Sequence, residues 1–326
     1  MLPKIYFVIP CYNEEEMLPY TIEKMSQKFD SLLKNGLISN ESKIVFVDDG
    51  SKDNTWQLIK EAAKDKMFVG VKLSRNCGHQ NALMAGMSYA LKFCDCVITL
   101  DADLQDDINV IDEFIKKFEE GYDVVYGVRS SRKTDIFFKR FTAQSFYKLM
   151  RAFGVEIVYN HADYVYNHAD YRLLSKKALE FLMQFEERNL FLRGLIPLIG
   201  LKSTIVYYER QERIAGKTKY PLKKMLSFAF EGITSFSVKP IKYITSAGFL
   251  MFLLSIAILI YAIVQKIRGE AVTGWTSLTI SIWFIGGLQL VALGLIGEYI
   301  GKIYKEVKRR PLYFIEEIAE DAQEQE

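Results

Sequence analysis

The sequence predicts an α/β domain with a mostly parallel central sheet, followed by an interfacial helix and two transmembrane helices. Two observations predict this fold class. The first half alternates near-continuous apolar runs with amphipathic stretches, the pattern of strands buried on both faces and covered by helices. Further on, residues 244–265 and 276–297 carry no charge over roughly the 20 residues that a bilayer core demands.

The elements follow in order. Residues 4–10 (KIYFVIP) predict the first strand, and residues 14–34 a helix. Residues 43–49 (KIVFVDD) predict the second strand, with Asp53 placed to cap the helix behind it. Residues 68–73 predict a third strand, and residues 80–92 bring apolar side chains to helical spacing. A fourth strand (96–101, CVITLD), a helix (110–120) and a fifth strand (123–128, DVVYGV) complete the alternation. Another helix is expected to begin near Arg172. In such sheets ligands bind beyond the carboxyl ends of the strands. The polar residues gather there: Tyr12, Asn13 and Glu14 after the first strand, Asp48, Asp49, Gly50 and Ser51 after the second, Asp101, Ala102 and Asp103 after the fourth, and Arg129 after the fifth. No GxGxxG follows the first strand, which disfavours a dinucleotide-binding fold.

Basic residues flank the two charge-free stretches on their outer sides: Lys239 and Lys242 before them, Lys302, Lys305, Lys308, Arg309 and Arg310 after them. The connection at 266–274 holds only Lys266, Arg268 and Glu270, so the positive-inside rule places both ends of the hairpin in the cytoplasm. Residues 221–238 mix Leu222, Met225, Phe228 and Ile233 with Lys223, Lys224 and Glu231, which suits a helix in the headgroup layer and equally an ordinary packed amphipathic helix. The expected organisation is therefore a catalytic domain (1–220), a juxtamembrane amphipathic segment (221–240), a transmembrane hairpin (241–301) and a tail (302–326). The tail turns acidic and is expected to be a frayed, solvated end. The chain starts Met-Leu-Pro-Lys and enters a strand at once, without a signal-peptide layout, so the N-terminal domain of a multi-pass inner-membrane protein is expected in the cytoplasm.

Of the 326 residues, 50% are apolar, and the excess lies after about residue 225. A net charge of only +2 gives no global field for nucleic acid. The four cysteines form no CxxC pair and the three histidines complete no zinc set, so reduced thiols are expected. His79 has no metal partner nearby in sequence and reads as a structural or hydrogen-bonding residue. Residues 158–164 (VYNHADY) are repeated letter for letter at 165–171, a local duplication too short for a solenoid unit.

DADLQD at 101–106 is the central chemical signal. Two carboxylates, Asp101 and Asp103, at the end of a buried strand are costly unless a positive partner sits between them. Hard Mg²⁺ or Mn²⁺ takes a few carboxylate oxygens, fills its remaining positions with diphosphate oxygens and water, and neutralises a departing nucleoside diphosphate.

IPCYNEEE (9–16), VDDGSKDNT (47–55), LSRNCGHQNAL (73–83), DADLQD (101–106) and RIAGKTKY (213–220) occur in that order. Together they resemble the family 2 glycosyltransferases of the GT-A fold, in the polyprenyl-phosphate branch that holds dolichyl-phosphate mannose synthases and bacterial undecaprenyl-phosphate enzymes. The resemblance implies inverting transfer of a sugar, from UDP-glucose or UDP-N-acetylglucosamine, to a polyprenyl phosphate at the cytoplasmic leaflet. It places Pro10, Tyr12, Glu14 and Asp49 around the nucleoside, with Asp48 adjacent. Asp101, Ala102 and Asp103 would meet diphosphate and metal, and Gln105 would border the sugar. Arg129, Arg213 and Lys219 would bind phosphates, as guanidinium forks do. Asp170 resembles the acidic position near the acceptor and is preferred over Asp163 because Arg172, Leu173, Leu174 and Ser175 continue the family pattern. A homo-oligomer remains open. A processive polysaccharide synthase is disfavoured by the lack of QxxRW and the low number of membrane spans, and a non-catalytic scaffold by the intact DADLQD and RIAGKTKY.

Overall fold

The structure, a computed structural model, describes residues 2–129, 168–188, 190–209 and 274–321 and part of 241–250. Arg213, Lys219 and the loop 213–220, residues 221–240, most of the first charge-free stretch, and the first heptapeptide copy lie outside the described residues.

The first half follows the predicted alternation. Strand β1 is Ile5–Cys11, helix α1 Leu18–Lys34, β2 Lys43–Asp48, α2 Thr55–Ala62, β3 Phe68–Leu73, α3 His79–Ala90, β4 Cys96–Thr99, α4 Ile111–Glu119 and β5 Val124–Arg129. Helix α1 starts four residues later than predicted. Asn13 sits at φ 52° and the Met17 and Leu18 amides both donate to the Glu14 carbonyl, so a turn occupies the first residues. Asp53 is not the N-cap of α2, a position that Asn54 holds; from one residue earlier its Oδ1 accepts from the Thr55 amide at 3.0 Å.

The second half departs from expectation at three places. Arg172 does not open a helix. It lies in strand β6, His168–Ser175, and helix α5 (Lys176–Leu182) starts only where the Ser175 hydroxyl accepts from the Ala178 amide. The strand prevails because β6 is paired on both sides, to β4 and to β5, and buries Tyr171, Leu173 and Leu174. Helix α6 (Leu192–Leu198) and strand β7 (Ser203–Tyr208), which the pattern did not predict, follow. The described part of the acidic tail, to Asp321, is not frayed either. After helix α7 (Trp275–Lys308), strand β8 (Ile315–Ala319) pairs antiparallel with β3. Lys60 and Trp56 both hold Glu317, Lys72 pairs with Glu316, and the Tyr89 hydroxyl donates to Glu320, so remote cations and donors order the acidic strand.

Among the described residues eight strands form one sheet in the order β7-β5-β6-β4-β1-β2-β3-β8. Strands β1, β2, β3 and β4 pair in parallel, β5 pairs in parallel with β7, and β6 runs antiparallel between β4 and β5. Six strands therefore share one direction and only β6 and β8 oppose it. Both faces are covered. Ile5, Phe7 and Ile9 pack with Leu18, Met25 and Phe29 of α1 and Phe114 of α4. On the opposite face α3 lies so close that a Cβ on Gly86 would sit 2.4 Å from Val8 and 2.7 Å from Val47.

By contacts the chain divides into one unit of Met1–Ile136, Ile157–Lys219 and Arg310–Glu326, and a second of Phe137–Glu156 and Tyr220–Arg309. In the second, α7 runs for 34 residues, and the described residues of 241–250 are helical. Among the described residues no helix is long and apolar enough to cross a membrane.

Candidate active site

The loops after β1 and β2 lock onto each other at the carboxyl edge of the sheet. The Asn13 amide donates to the Ser51 hydroxyl at 2.9 Å, and the Lys52 amide donates to Asn13 Oδ1 at 2.9 Å. Glu14 and Thr55, and Glu15 with Asp53 and Asn54, repeat this exchange. Two motifs 38 residues apart in sequence thus become one rigid wall, with Pro10 buried beneath it and Tyr12 exposed.

Asp48 and Asp49 divide the labour behind that wall. The Asp49 carboxylate accepts from the Cys77 and Gly78 amides at 2.7 and 2.9 Å, which pins the loop ahead of α3. Gly50 makes the approach possible: it has φ +65°, and a Cβ there would lie 2.5 Å from the backbone of Arg75 and of Asn76. Asp48 accepts from the Ser51 amide through Oδ1, while its Oδ2 is buried without a partner. Burial raises the carboxyl pKa of both residues, against the hydrogen bonds that they receive.

The antiparallel register of β4 and β6 runs to Thr99 opposite Arg172, which leaves Asp101 just beyond the end of β4 and Asp170 in β6. His79, at the start of α3, reaches both: its Nε2 lies 3.1 Å from Asp170 Oδ2 and 3.7 Å from Asp101 Oδ1. Buried Arg172 takes Asp170 Oδ1 with Nη2, and Arg193 of α6 approaches from the exposed side at 3.4 Å. Although burial opposes it, Arg193, Arg172 and His79 hold the Asp170 carboxyl well below the usual range. Asp101 goes the other way. A third of its side chain meets solvent. Even so, burial pushes its pKa up to about 6, opposed by His79 and reinforced by the like charges of Asp106, Asp170 and Asp103. His79 is raised despite burial, through its bond to Asp170 and the charge of Asp101.

The rest of DADLQD is held by neighbouring elements. The Thr21 hydroxyl of α1 donates to the Ala102 carbonyl at 2.6 Å, and the Gln105 amide donates to Asp103 Oδ1 at 3.2 Å. Gln105 is buried, and Leu104 between them adopts φ 46°. Arg129, expected on a phosphate, donates to Asp106 at 3.1 Å and to the Tyr208 hydroxyl at 3.2 Å, while Tyr208 itself donates to Asp106 at 2.5 Å. Sequence reasoning missed Asp106 as the anchor of Arg129. It also missed the pair of Arg172 with Asp170, two residues away on the same strand, and the contacts of Arg193 and His79 with Asp170, which join residues 23 and 91 positions apart.

A divalent cation fits these residues. Asp101 and Asp103 are hard oxygen donors, and a dication there would offset both the burial that chiefly raises the Asp101 pKa and the like charges of Asp106, Asp170 and Asp103 that add to it. No group of three or more metal-ligating side chains occurs among the described residues. Two carboxylates suit an ion that completes its shell with substrate oxygens and water.

A mostly parallel α/β sheet with interlocked loops and a carboxylate pair along one edge is the GT-A architecture of glycosyltransferases. The family model of Glycosyl transferase family 2 matches residues 6–182, and that of the GtrB C-terminal hairpin matches residues 239–303. Among relatives, the chain is 56% identical to the uncharacterized glycosyltransferase YkoT of Bacillus subtilis (strain 168), over 96% of this chain and 91% of that one. It is 40% identical to the prophage bactoprenol glucosyl transferase homolog of Escherichia coli (strain K12), over 97% and 99% of the two chains. It is 41% identical to the bactoprenol glucosyl transferase of Shigella phage SfV, over 96% and 98%. The chain belongs to glycosyl transferase family 2, as its five motifs led us to expect.

Proposed function

We propose that this glycosyltransferase moves a sugar from a nucleoside diphosphate donor, UDP-glucose or UDP-N-acetylglucosamine, to a polyprenyl phosphate at the cytoplasmic face of the inner membrane. An acceptor phosphate oxygen attacks the anomeric carbon, the bond from that carbon to the diphosphate breaks, and the nucleoside diphosphate leaves with its electron pair, inverting the configuration. The observation that carries this reading is the gathering of Asp101 and Asp170 around His79, on a sheet whose loops after β1 and β2 interlock. Relatives at 40% and 41% identity over nearly the whole chain bear the name bactoprenol glucosyl transferase, which supports the acceptor class.

In this reading Pro10, Tyr12, Glu14, Asp48 and Asp49 line the nucleoside pocket. Ala102 approaches the diphosphate through its backbone and Gln105 borders the sugar. Asp101 and Asp103 would hold Mg²⁺ or Mn²⁺, which when bound neutralises charge on the leaving diphosphate. Arg213 and Lys219 bind phosphates. Arg129, which also pairs with Asp106, binds phosphate with them. The chain would anchor through two transmembrane helices and a juxtamembrane segment. The support is the GtrB C-terminal hairpin match and the exposed Leu278, Ile282, Leu293, Ile296 and Ile300 of α7, an apolar surface that water disfavours.

The test is a panel of radiolabelled nucleotide sugars offered to the purified chain with undecaprenyl phosphate and Mg²⁺. One donor should send label into the organic phase, and only when the lipid is present. Label that remains in water for every donor contradicts the reading.

A further inference from the structure

The acceptor in the proposed reaction is itself an anion. A phosphate monoester has its second pKa near about 6, so at neutral pH it already offers a nucleophilic oxyanion and needs little help from a base. Its difficulty is electrostatic, because Asp101, Asp103, Asp106 and Asp170 all lie along the edge it must approach.

Asp170 is not open to that phosphate. Only 6% of its side chain is exposed, and both oxygens are engaged. Oδ1 accepts from Arg172 Nη2 and from Arg193 Nε at 3.5 Å. Oδ2 accepts from Arg193 Nη2 at 3.4 Å and from Gln80 Nε2 at 3.5 Å, and meets His79 Nε2 at 3.1 Å. Arg172, 1% exposed, cannot leave the sheet to meet a substrate. Arg193 is different: 41% of its side chain faces solvent, and its contacts with the carboxylate are long enough to be shared. Its position is fixed from behind. Gln80 donates to Asp170 and accepts from the Leu192 amide at 3.1 Å, which ties the first turn of α6 to α3. Strand β6 also lies on the other side of β4 from β1, β2 and β3, whose loops carry the nucleoside motifs. A cation held at Asp170 therefore stands beside the β4 end, where the donor's diphosphate is assigned, on the side away from the nucleoside motifs, where a second phosphate would approach.

We infer that Arg193 receives the phosphate of the lipid acceptor, and that Asp170 is a positioning residue, held by Arg172, that aims Arg193 and His79 into the cleft. The guanidinium gives the incoming phosphate a two-pronged partner and screens it from Asp170 and Asp101. This inference rests on the proposed lipid-phosphate acceptor.

The test is steady-state kinetics on the full chain in detergent, with undecaprenyl phosphate and the active donor varied separately, and UDP affinity measured in parallel. Arg193→Gln should raise the acceptor KM by about tenfold or more, the loss of one charge-assisted pair, with donor KM and UDP affinity changed by less than about twofold. Arg193→Lys, which keeps the charge without the fork, should fall between; it also decides the matter if the glutamine variant does not fold. Asp170→Asn should raise the acceptor KM in the same direction. An unchanged acceptor KM in Arg193→Gln, or a raised donor KM in its place, overturns the role of Arg193. A fall in kcat of more than about a thousandfold in Asp170→Asn at unchanged acceptor KM would show Asp170 to be a base. A wild type that binds UDP yet labels no lipid with any donor removes the acceptor reading itself, a result distinct from the others.

Discussion

At the scale of single residues, the carboxyl edge holds together through positions that tolerate nothing else. Gly50 is one. Its left-handed φ and the backbone of Arg75 and Asn76 at 2.5 Å leave no room for a methyl group. Gly50→Ala should lower thermal stability by about 2 kcal/mol or more and weaken UDP binding, because Asp49 would lose its grip on the Cys77 and Gly78 amides. Unchanged melting and affinity would contradict this. Asp101 is the opposite case, a residue kept at a cost to stability. Its pKa is raised to about 6 from the ordinary 3.8. The folded state thus binds the proton more tightly, and stability falls as pH rises from about 4 through about 6. Metal-free Asp101→Asn should therefore melt about 2–4 °C above the wild type at pH 7.5, match it near pH 4, and transfer no sugar. A variant less stable at pH 7.5 would refute the electrostatic account. The sequence showed Asp101, Asp103, Asp48 and Asp49 because motifs of adjacent residues at strand ends are local signals. Arg193 and His79 carried no such signal, since their meeting with Asp170 depends on how β4, β6, α3 and α6 assemble.

At the scale of elements, β6 and β8 mark where local pattern gives way to tertiary pairing. In β6 the run after Asp170 has apolar residues at a spacing that suits a helix start as well as a strand, and two neighbouring strands decide the outcome. The register anchors Asp170 through Leu173 and Leu174, which pair with both neighbours. The last four residues of the second heptapeptide copy, His168–Tyr171, lie in this strand. Deleting residues 158–164 should preserve transfer, and Asp170→Asn should impair it far more than Asp163→Asn. The reverse ranking would assign the site to the first copy. Strand β8 was unreadable for a related reason: four acidic residues around two isoleucines look solvated until Lys60, Lys72, Trp56 and Tyr89 come within reach. Truncation after Pro311 should lower the melting temperature and promote aggregation by baring the edge of β3. A truncated chain that melts like the full one would show β8 to be dispensable.

At the scale of the whole molecule, the chain leaves its first unit at Ile136 and again at Lys219 and rejoins it at Ile157 and Arg310, so Tyr220–Arg309 is inserted ahead of the sheet's last described strand. The alternating pattern fixed the first five strands and the covered parallel sheet from sequence alone, because each strand was buried on both faces. The order of the later strands was hidden, because antiparallel β6 and the return of β8 obey no local period. The central claim is metal-assisted transfer of a sugar to a lipid phosphate, and it is tested most directly by one measurement. Purified wild type and Asp103→Asn are given the active radiolabelled nucleotide sugar, undecaprenyl phosphate and Mg²⁺, with and without excess chelator, and label in the organic phase is counted. The account predicts lipid-dependent label for the wild type that chelator abolishes, and almost none for Asp103→Asn while UDP binding shows the variant to be folded. Undiminished transfer in chelator, or by Asp103→Asn, would contradict it.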